Sequence, residues 1–223
     1  MLTARLLLLA LGLVSFLPAQ DHVTFPTEDG GLIYADVYGT GDRGVVLAHG
    51  GQFKKESWEK QARELVRNGY RVLAFDFRGF GQSRGPGQAD MYTAPMHLDV
   101  LAAVSYLRKN GAKTVAVVGG SFGASAAADA AESKPGEIDR LVILASSPGS
   151  HPEKLKVPKL LIIARDDAND DGPRLPGILR DWAKVPEPKQ MIILDGSAHA
   201  QFLFQTNQAD RVMREILHFL SSR

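Results

Sequence analysis

Val115-Ala116-Val117-Val118-Gly119-Gly120-Ser121-Phe122-Gly123-Ala124 joins an apolar run to an alanine-rich segment through a knot of glycines around one serine. The run reads as a buried strand, and the alanines up to 131 read as a helix. Between them, Gly119-Gly120-Ser121-Phe122-Gly123 has G-x-S-x-G spacing. In such an elbow the serine takes a strained backbone conformation that only a tight turn can hold, and the glycines keep side chains out of the way. The hydroxyl then stands clear of the sheet at a helix N-terminus, whose partial positive charge favours a developing anion. Serine beside glycine is also ordinary turn composition. The position between a strand and a helix gives this one its weight.

A serine nucleophile needs a base and a group to orient that base. Residues 159–164 read as a buried strand ending in Arg165-Asp166-Asp167-Ala168-Asn169-Asp170-Asp171, a loop rich in carboxylates. Residues 190–194 read as the next strand, ending in Asp195-Gly196-Ser197-Ala198-His199 just before an amphipathic helix. The chain order is therefore Ser, Asp, His, each after its own strand. Negative charge on a substrate oxygen also needs donors. The short strand Val45-Val46-Leu47-Ala48 runs into His49-Gly50-Gly51-Gln52, where small residues let a backbone N–H face the site. We favour the Gly51 amide, with Gln52 as the alternative, and the Phe122 amide directly after the serine as the second donor.

On these residues the chain resembles the α/β-hydrolase superfamily. The likeness is carried by His49-Gly50-Gly51, by Asp76-Phe77-Arg78-Gly79-Phe80-Gly81-Gln82-Ser83, by the elbow at Ser121 and by the Asp167 and His199 loops, and it spans roughly residues 44–220. The order Ser, Asp, His is the superfamily's. The D-x-R-G-x-G-x-S stretch implies a structural loop more than a catalytic one. The family's G-x-x-D pattern falls on Ala164-Arg165-Asp166-Asp167, with alanine in place of glycine. It implies Asp167 as the acid, with Asp166 as the competing carboxylate. The resemblance implies acyl transfer: Ser121 attacks, His199 takes its proton, Asp167 holds the imidazole, and water releases the acyl group.

The rest of the chain fits one α/β domain. Residues 22–26 and 32–38 read as strands joined by a hairpin through Glu28-Asp29-Gly30-Gly31, followed by strands at 44–48, 71–75 and 140–145. Helices are expected at 57–68, 94–109, 175–183 and 205–220. The expectation is a mostly parallel, doubly wound sheet of about seven or eight strands with helices on both faces. Only residues 146–158 separate two late strands where a lid commonly enters this superfamily, so a minimal lid or none is expected. That favours a small-molecule ester or related acyl substrate, the alternatives being a peptidase, thioesterase or acyltransferase on the same triad or a non-catalytic binding protein with the fold. Phe53, Phe122, Phe202, Phe204, Met91 and Tyr92 are candidates for the entrance, core packing being the usual role of such residues.

Residues 1–19 form a separate object: a short basic start, the apolar stretch 6–17, and Leu17-Pro18-Ala19 before Gln20. This is the pattern of a secretory signal peptide cleaved after Ala19, with an uncleaved anchor as the alternative. The expected domains are thus 1–19, signal peptide, and 20–223, a single hydrolase domain that is periplasmic or secreted. There is no cysteine, hence neither a disulfide framework nor a lipid-modified thiol at this junction. Without the leader, which carries Arg5 and no acid, 25 basic residues face 25 acidic ones. Nothing in that balance favours nucleic acid or an anionic membrane as partner. His22, His49, His97, His151 and His218 lack metal-ligand spacing. Neither metal nor cofactor is expected. Asp76, Asp99, Trp58 and Trp182 read as structural.

Overall fold

The computed structural model describes residues 20–87, 90 and 93–222. The leader, Met91 and Tyr92 lie outside these. Among the described residues, ten strands and five α-helices follow one another. β1 (Gln20–Pro26) and β2 (Leu32–Tyr38) form the expected hairpin, closed by the Thr27 amide on the Gly31 carbonyl at 2.9 Å. Next come β3 (Arg43–Ala48), α1 (Glu59–Arg67), β4 (Arg71–Phe75), α2 (His97–Lys109), β5 (Thr114–Gly120), α3 (Phe122–Ser133) and β6 (Arg140–Leu144). β7 (Lys159–Ala164), the two-residue strands β8 (Ala168–Asn169) and β9 (Gly172–Pro173), α4 (Leu175–Trp182), β10 (Lys189–Leu194) and α5 (Ala209–Ser221) complete the chain.

Eight strands make one sheet in the order β1-β2-β4-β3-β5-β6-β7-β10, antiparallel at β1, β2 and β4 and parallel from β4 onward. Successive side chains of a strand point to opposite faces, and both faces here are apolar. Val46, Val117, Leu141, Ile143, Leu161 and Ile163 join α2, α3 and α4 on one side. Val45, Leu47, Val118, Val142, Leu160 and Ile162 meet α1 and α5 on the other. That is why the central strands read as continuous apolar runs rather than alternating ones.

Three helix starts differ from the expectation, the first being α1, which begins at Glu59 and not at 57, after a 3-10 turn at Lys55–Trp58. α2 starts at His97, not 94, because Pro95 pushes the residue before it out of the helical region. The expected helix 205–220 starts instead at Ala209, as α5, after a separate 3-10 turn at Ala200–Gln205. At the break the Thr206 hydroxyl accepts the Gln208 amide at 3.1 Å, a local bond that competes with helix continuation. β8 and β9 were not anticipated.

Parallel pairing lines up the strand ends. Ala48 sits opposite Gly119, Gly120 opposite Leu144, and Leu194 opposite Ala164. The loops after β3, β5, β7 and β10 therefore leave the sheet on a single edge. No lid is evident between β6 and β7, where the only helical piece is the short turn Pro152–Lys154.

Candidate active site

Ser121 sits between β5 and α3 with φ 50° and ψ −118°, a left-handed conformation for a non-glycine residue. Such a residue costs about 1–3 kcal/mol and persists only where its surroundings hold it. Its amide donates to the Leu144 carbonyl at 2.8 Å, and its carbonyl accepts from Ala124 at 2.9 Å. The glycines are sterically required. A Cβ on Gly119 would lie 2.5 Å from the Cα of Ala124, and one on Gly123 would lie 2.5 Å from the carbonyl oxygens of Ala48 and His49. α3 can thus start directly over the end of β3.

The structure brings Ser121, His199 and Asp167 together. The Ser121 hydroxyl donates to Nε2 of His199 at 2.7 Å, and Nδ1–H of His199 donates to Oδ2 of Asp167 at 2.7 Å. The Asp167 carboxylate is fully buried, whereas the imidazole is 26% exposed and so reachable from solvent. Asp166, the competing carboxylate, is exposed, and its amide is spent on the Gly196 carbonyl at 2.9 Å. One residue decides the matter, because consecutive side chains at the end of a strand leave in opposite directions.

The loop after β3 turns back at once. The Phe53 amide donates to the Gly50 carbonyl at 2.9 Å, putting Gly51 and Gln52 at the two central positions of the turn. The Gly50 amide is also engaged, by Oε1 of Gln201 at 2.8 Å. Gly51 and Gln52 remain as the loop's candidate donors. Phe122 occupies the first position of α3, where an amide has no intrahelical acceptor.

Gln201 was missed by sequence reasoning. It is buried two residues after His199, and besides Gly50 it reaches Ser57, donating through Nε2 at 2.7 Å. Its Oε1 also fills the space beside Gly120, where a Cβ would lie 2.7 Å from it. One side chain thereby ties the loop of His199 to the loop of Gly51 and to the elbow. Nothing beside it in the chain marks it, because the space it fills next to Gly120 is made only by the fold.

His49 is fully buried, with Nδ1–H on the Gly50 carbonyl at 2.9 Å and Nε2 accepting the Phe77 amide at 3.2 Å. Burial pushes its pKa down to about 4, which keeps the ring neutral and able to accept. The stretch 76–83 is a scaffold. Buried Arg78 donates to Asp99 at 2.6 and 2.8 Å and to Asp29 at 2.6 and 3.0 Å. Asp76 accepts the Lys55 amide at 2.8 Å, Ser83 accepts the Tyr34 amide at 2.9 Å, and Gly81 has φ +53 with no room for a Cβ beside Asp76.

Phe53 and the exposed Phe202 pack at a tilt with ring centroids 5.0 Å apart, next to the Gly51 turn and the His199 loop respectively. Phe122 packs on Phe77 at 5.0 Å, and Phe204 packs on the buried Trp58 at 5.8 Å, so Phe204 belongs to the core side. Trp182 is buried as well.

A strand–elbow–helix serine on a mostly parallel eight-stranded sheet, hydrogen-bonded to a histidine and a carboxylate from later loops, is the architecture of an α/β hydrolase. The chain belongs to that family, matching the alpha/beta hydrolase fold over residues 44–208. It is 29% identical over 153 residues to a non-heme chloroperoxidase of Streptomyces lividans, covering 67% of this chain and 49% of that protein. It is 33% identical over 140 residues to a non-heme haloperoxidase of Rhodococcus erythropolis, covering 58% and 48%. The chain thus spans half or less of the length of these curated relatives. Among solved structures, an esterase of Pyrococcus furiosus superposes with a TM-score of 0.75 at 21% identity, covering 91% of this chain and 92% of that one.

Proposed function

We propose that the protein is a serine esterase acting on small or short-chain acyl substrates. The observation that carries the reading is the unbroken relay from Ser121 through His199 to the buried Asp167, at 2.7 Å in each step. His199 takes the serine proton as Oγ bonds to the substrate carbonyl carbon. Asp167 holds the imidazole in the tautomer that can accept that proton and balances the cation that forms. The Phe122 and Gly51 amides receive the oxyanion; each such donor is typically worth about 3 kcal/mol in the transition state. The tetrahedral intermediate expels the alcohol, protonated by His199. Water, deprotonated by the same residue, then releases the acid and restores the serine.

Hydrolysis of p-nitrophenyl acetate by the purified protein and by Ser121→Ala tests this. The variant is expected to lose at least about a thousandfold in kcat, and equal rates would end the esterase reading. Wild-type activity is expected to rise with pH as the histidine gives up its proton; a profile flat between about pH 5 and 8 would contradict His199 as base.

The haloperoxidase relatives favour a second use of the same acyl-enzyme. Hydrogen peroxide in place of water would attack the acyl carbon, pass its proton to His199 and leave as a peracid, with the serine restored. Peracid formed from p-nitrophenyl acetate and peroxide in the same assay distinguishes perhydrolysis from hydrolysis alone.

A further inference from the structure

Asp167 has two carboxylate oxygens, and the relay uses one. Oδ2 accepts from His199, while Oδ1 is sealed from solvent and accepts no hydrogen bond among the described residues. Facing Oδ1 at 3.4 Å is Nε of Arg174, itself a buried nitrogen without a hydrogen-bond acceptor. An unpaired carboxylate oxygen in a dry position is costly. Its one opposite charge comes from a residue to which neither the relay nor the oxyanion turn assigns a part.

The backbone puts Arg174 there by construction. β8 and β9 pair antiparallel, Ala168 opposite Pro173 and Asn169 opposite Gly172. The next step of the same register sets residue 174 opposite residue 167, and the Arg174 amide donates to the Asp167 carbonyl at 2.9 Å. Asp170 and Asp171 form the tip, and Gly172 takes φ +106, a conformation that glycine adopts cheaply. The sequence after the acid is thus a two-strand clip that returns a guanidinium to the carboxylate six residues downstream of its start.

We propose that Arg174 is a positioning residue for the triad acid: it pairs with the buried oxygen of Asp167 that His199 leaves free, fixes the carboxylate's orientation and shares its charge. This rests on the triad reading above. With the guanidinium in place, part of the carboxylate's negative charge is already compensated, and the Asp167–His199 unit holds an extra proton less tightly. Without it, the unit is more negative and binds that proton at higher pH. The direction is the same whichever of the two residues carries the proton, because removing a nearby cation favours proton uptake at either. The other charged side chains on the elements that flank the pair are Asp166, Asp170 and Asp171 on the same loop, the Arg165–Asp195 pair across the ends of β7 and β10, and Arg180 and Asp181 on α4. All are exposed and screened by solvent except Asp181, which is half-buried and bonded to Ser147 and Lys184.

The test is the pH dependence of kcat and kcat/KM for p-nitrophenyl acetate in the wild type, Arg174→Met, Arg174→Lys and Ser121→Ala, with thermal melts of each. Arg174→Met is expected to lower kcat about tenfold with KM within about twofold, and to move the acid-limb midpoint up by about half to one pH unit. Arg174→Lys, which keeps the charge, is expected to return the midpoint to its wild-type position and recover most of kcat. Should Arg174→Met not yield folded protein, Arg174→Gln, which also removes the charge, reads the same midpoint. An unmoved midpoint in the uncharged variant, with or without a fall in kcat, overturns the proposal while an inactive Ser121→Ala leaves the triad standing. A fully active Ser121→Ala overturns the triad reading beneath it.

Discussion

Backbone strain in this chain is gathered at the reactive edge. Among the described residues, the non-glycine positions with positive φ are Ser121, Ala145 and Ala200, which follow β5, β6 and the relay histidine. Ser121 and Ala145 lie where the chain leaves a parallel strand sharply, and Ala200 where the loop after β10 turns into the 3-10 segment. Gln201, beside one of them, converts that local strain into a tie between loops through its bonds to Gly50 and Ser57. Gln201→Ala frees the Gly50 amide and opens space next to Gly120. It is expected to reduce kcat about tenfold or more with KM nearly unchanged, since the loss falls on donor placement and not on ground-state contacts. Steady-state kinetics at saturating ester checks this, and a change confined to KM would contradict it.

Two elements meet through His49, which leaves β3 and accepts from the loop after β4. The buried ring must be neutral to make that bond, so its folded pKa, about 4, lies below its ordinary value near 6.5. Between those values the unfolded chain takes up a proton that the folded one refuses. The stability is therefore complete above about pH 6.5 and falls as the pH drops toward 4. From pH 7 to pH 4.5 this one group is expected to remove roughly 2–3 kcal/mol. Urea unfolding of the wild type and His49→Gln at the two pH values reads the difference, with groups such as the buried Asp99 common to both proteins. Equal losses in the two would show that His49 does not titrate on unfolding.

At the scale of the molecule, parallel pairing from β4 to β10 makes the site a rim rather than a cavity. The segment between β6 and β7 carries only one short helical turn, and the Phe53–Phe202 pair lies beside the Gly51 turn and the His199 loop, with Phe202 exposed. With no lid evident among the described residues, the proposed esterase gains nothing from an oil–water boundary. The rate on tributyrin is therefore expected to saturate smoothly as substrate is raised through its solubility limit. A jump in rate at that limit, measured by acid release at constant pH, would show that a mobile cover exists.

The local pattern at Ser121 was legible because it rests on short-range physics: only glycine fits at 119 and 123, and an apolar run ending there can only be a buried strand. The number of strands, the hairpin at the start and the chain order of serine, acid and histidine followed from the same kind of signal, whereas the order of strands in the sheet came only with the fold. The choice of Asp167 over Asp166 came from a family pattern and not from local chemistry, since two adjacent carboxylates look alike until the sheet sends one inward. The boundary at Thr206 turned on a hydroxyl competing for an amide. Gln201 and Arg174 were invisible, because nothing near them in the chain marks them. Their roles arise from contacts with Gly50, 151 positions away, and with Asp167 across a four-residue ladder, which exist only once the folded chain has closed those distances.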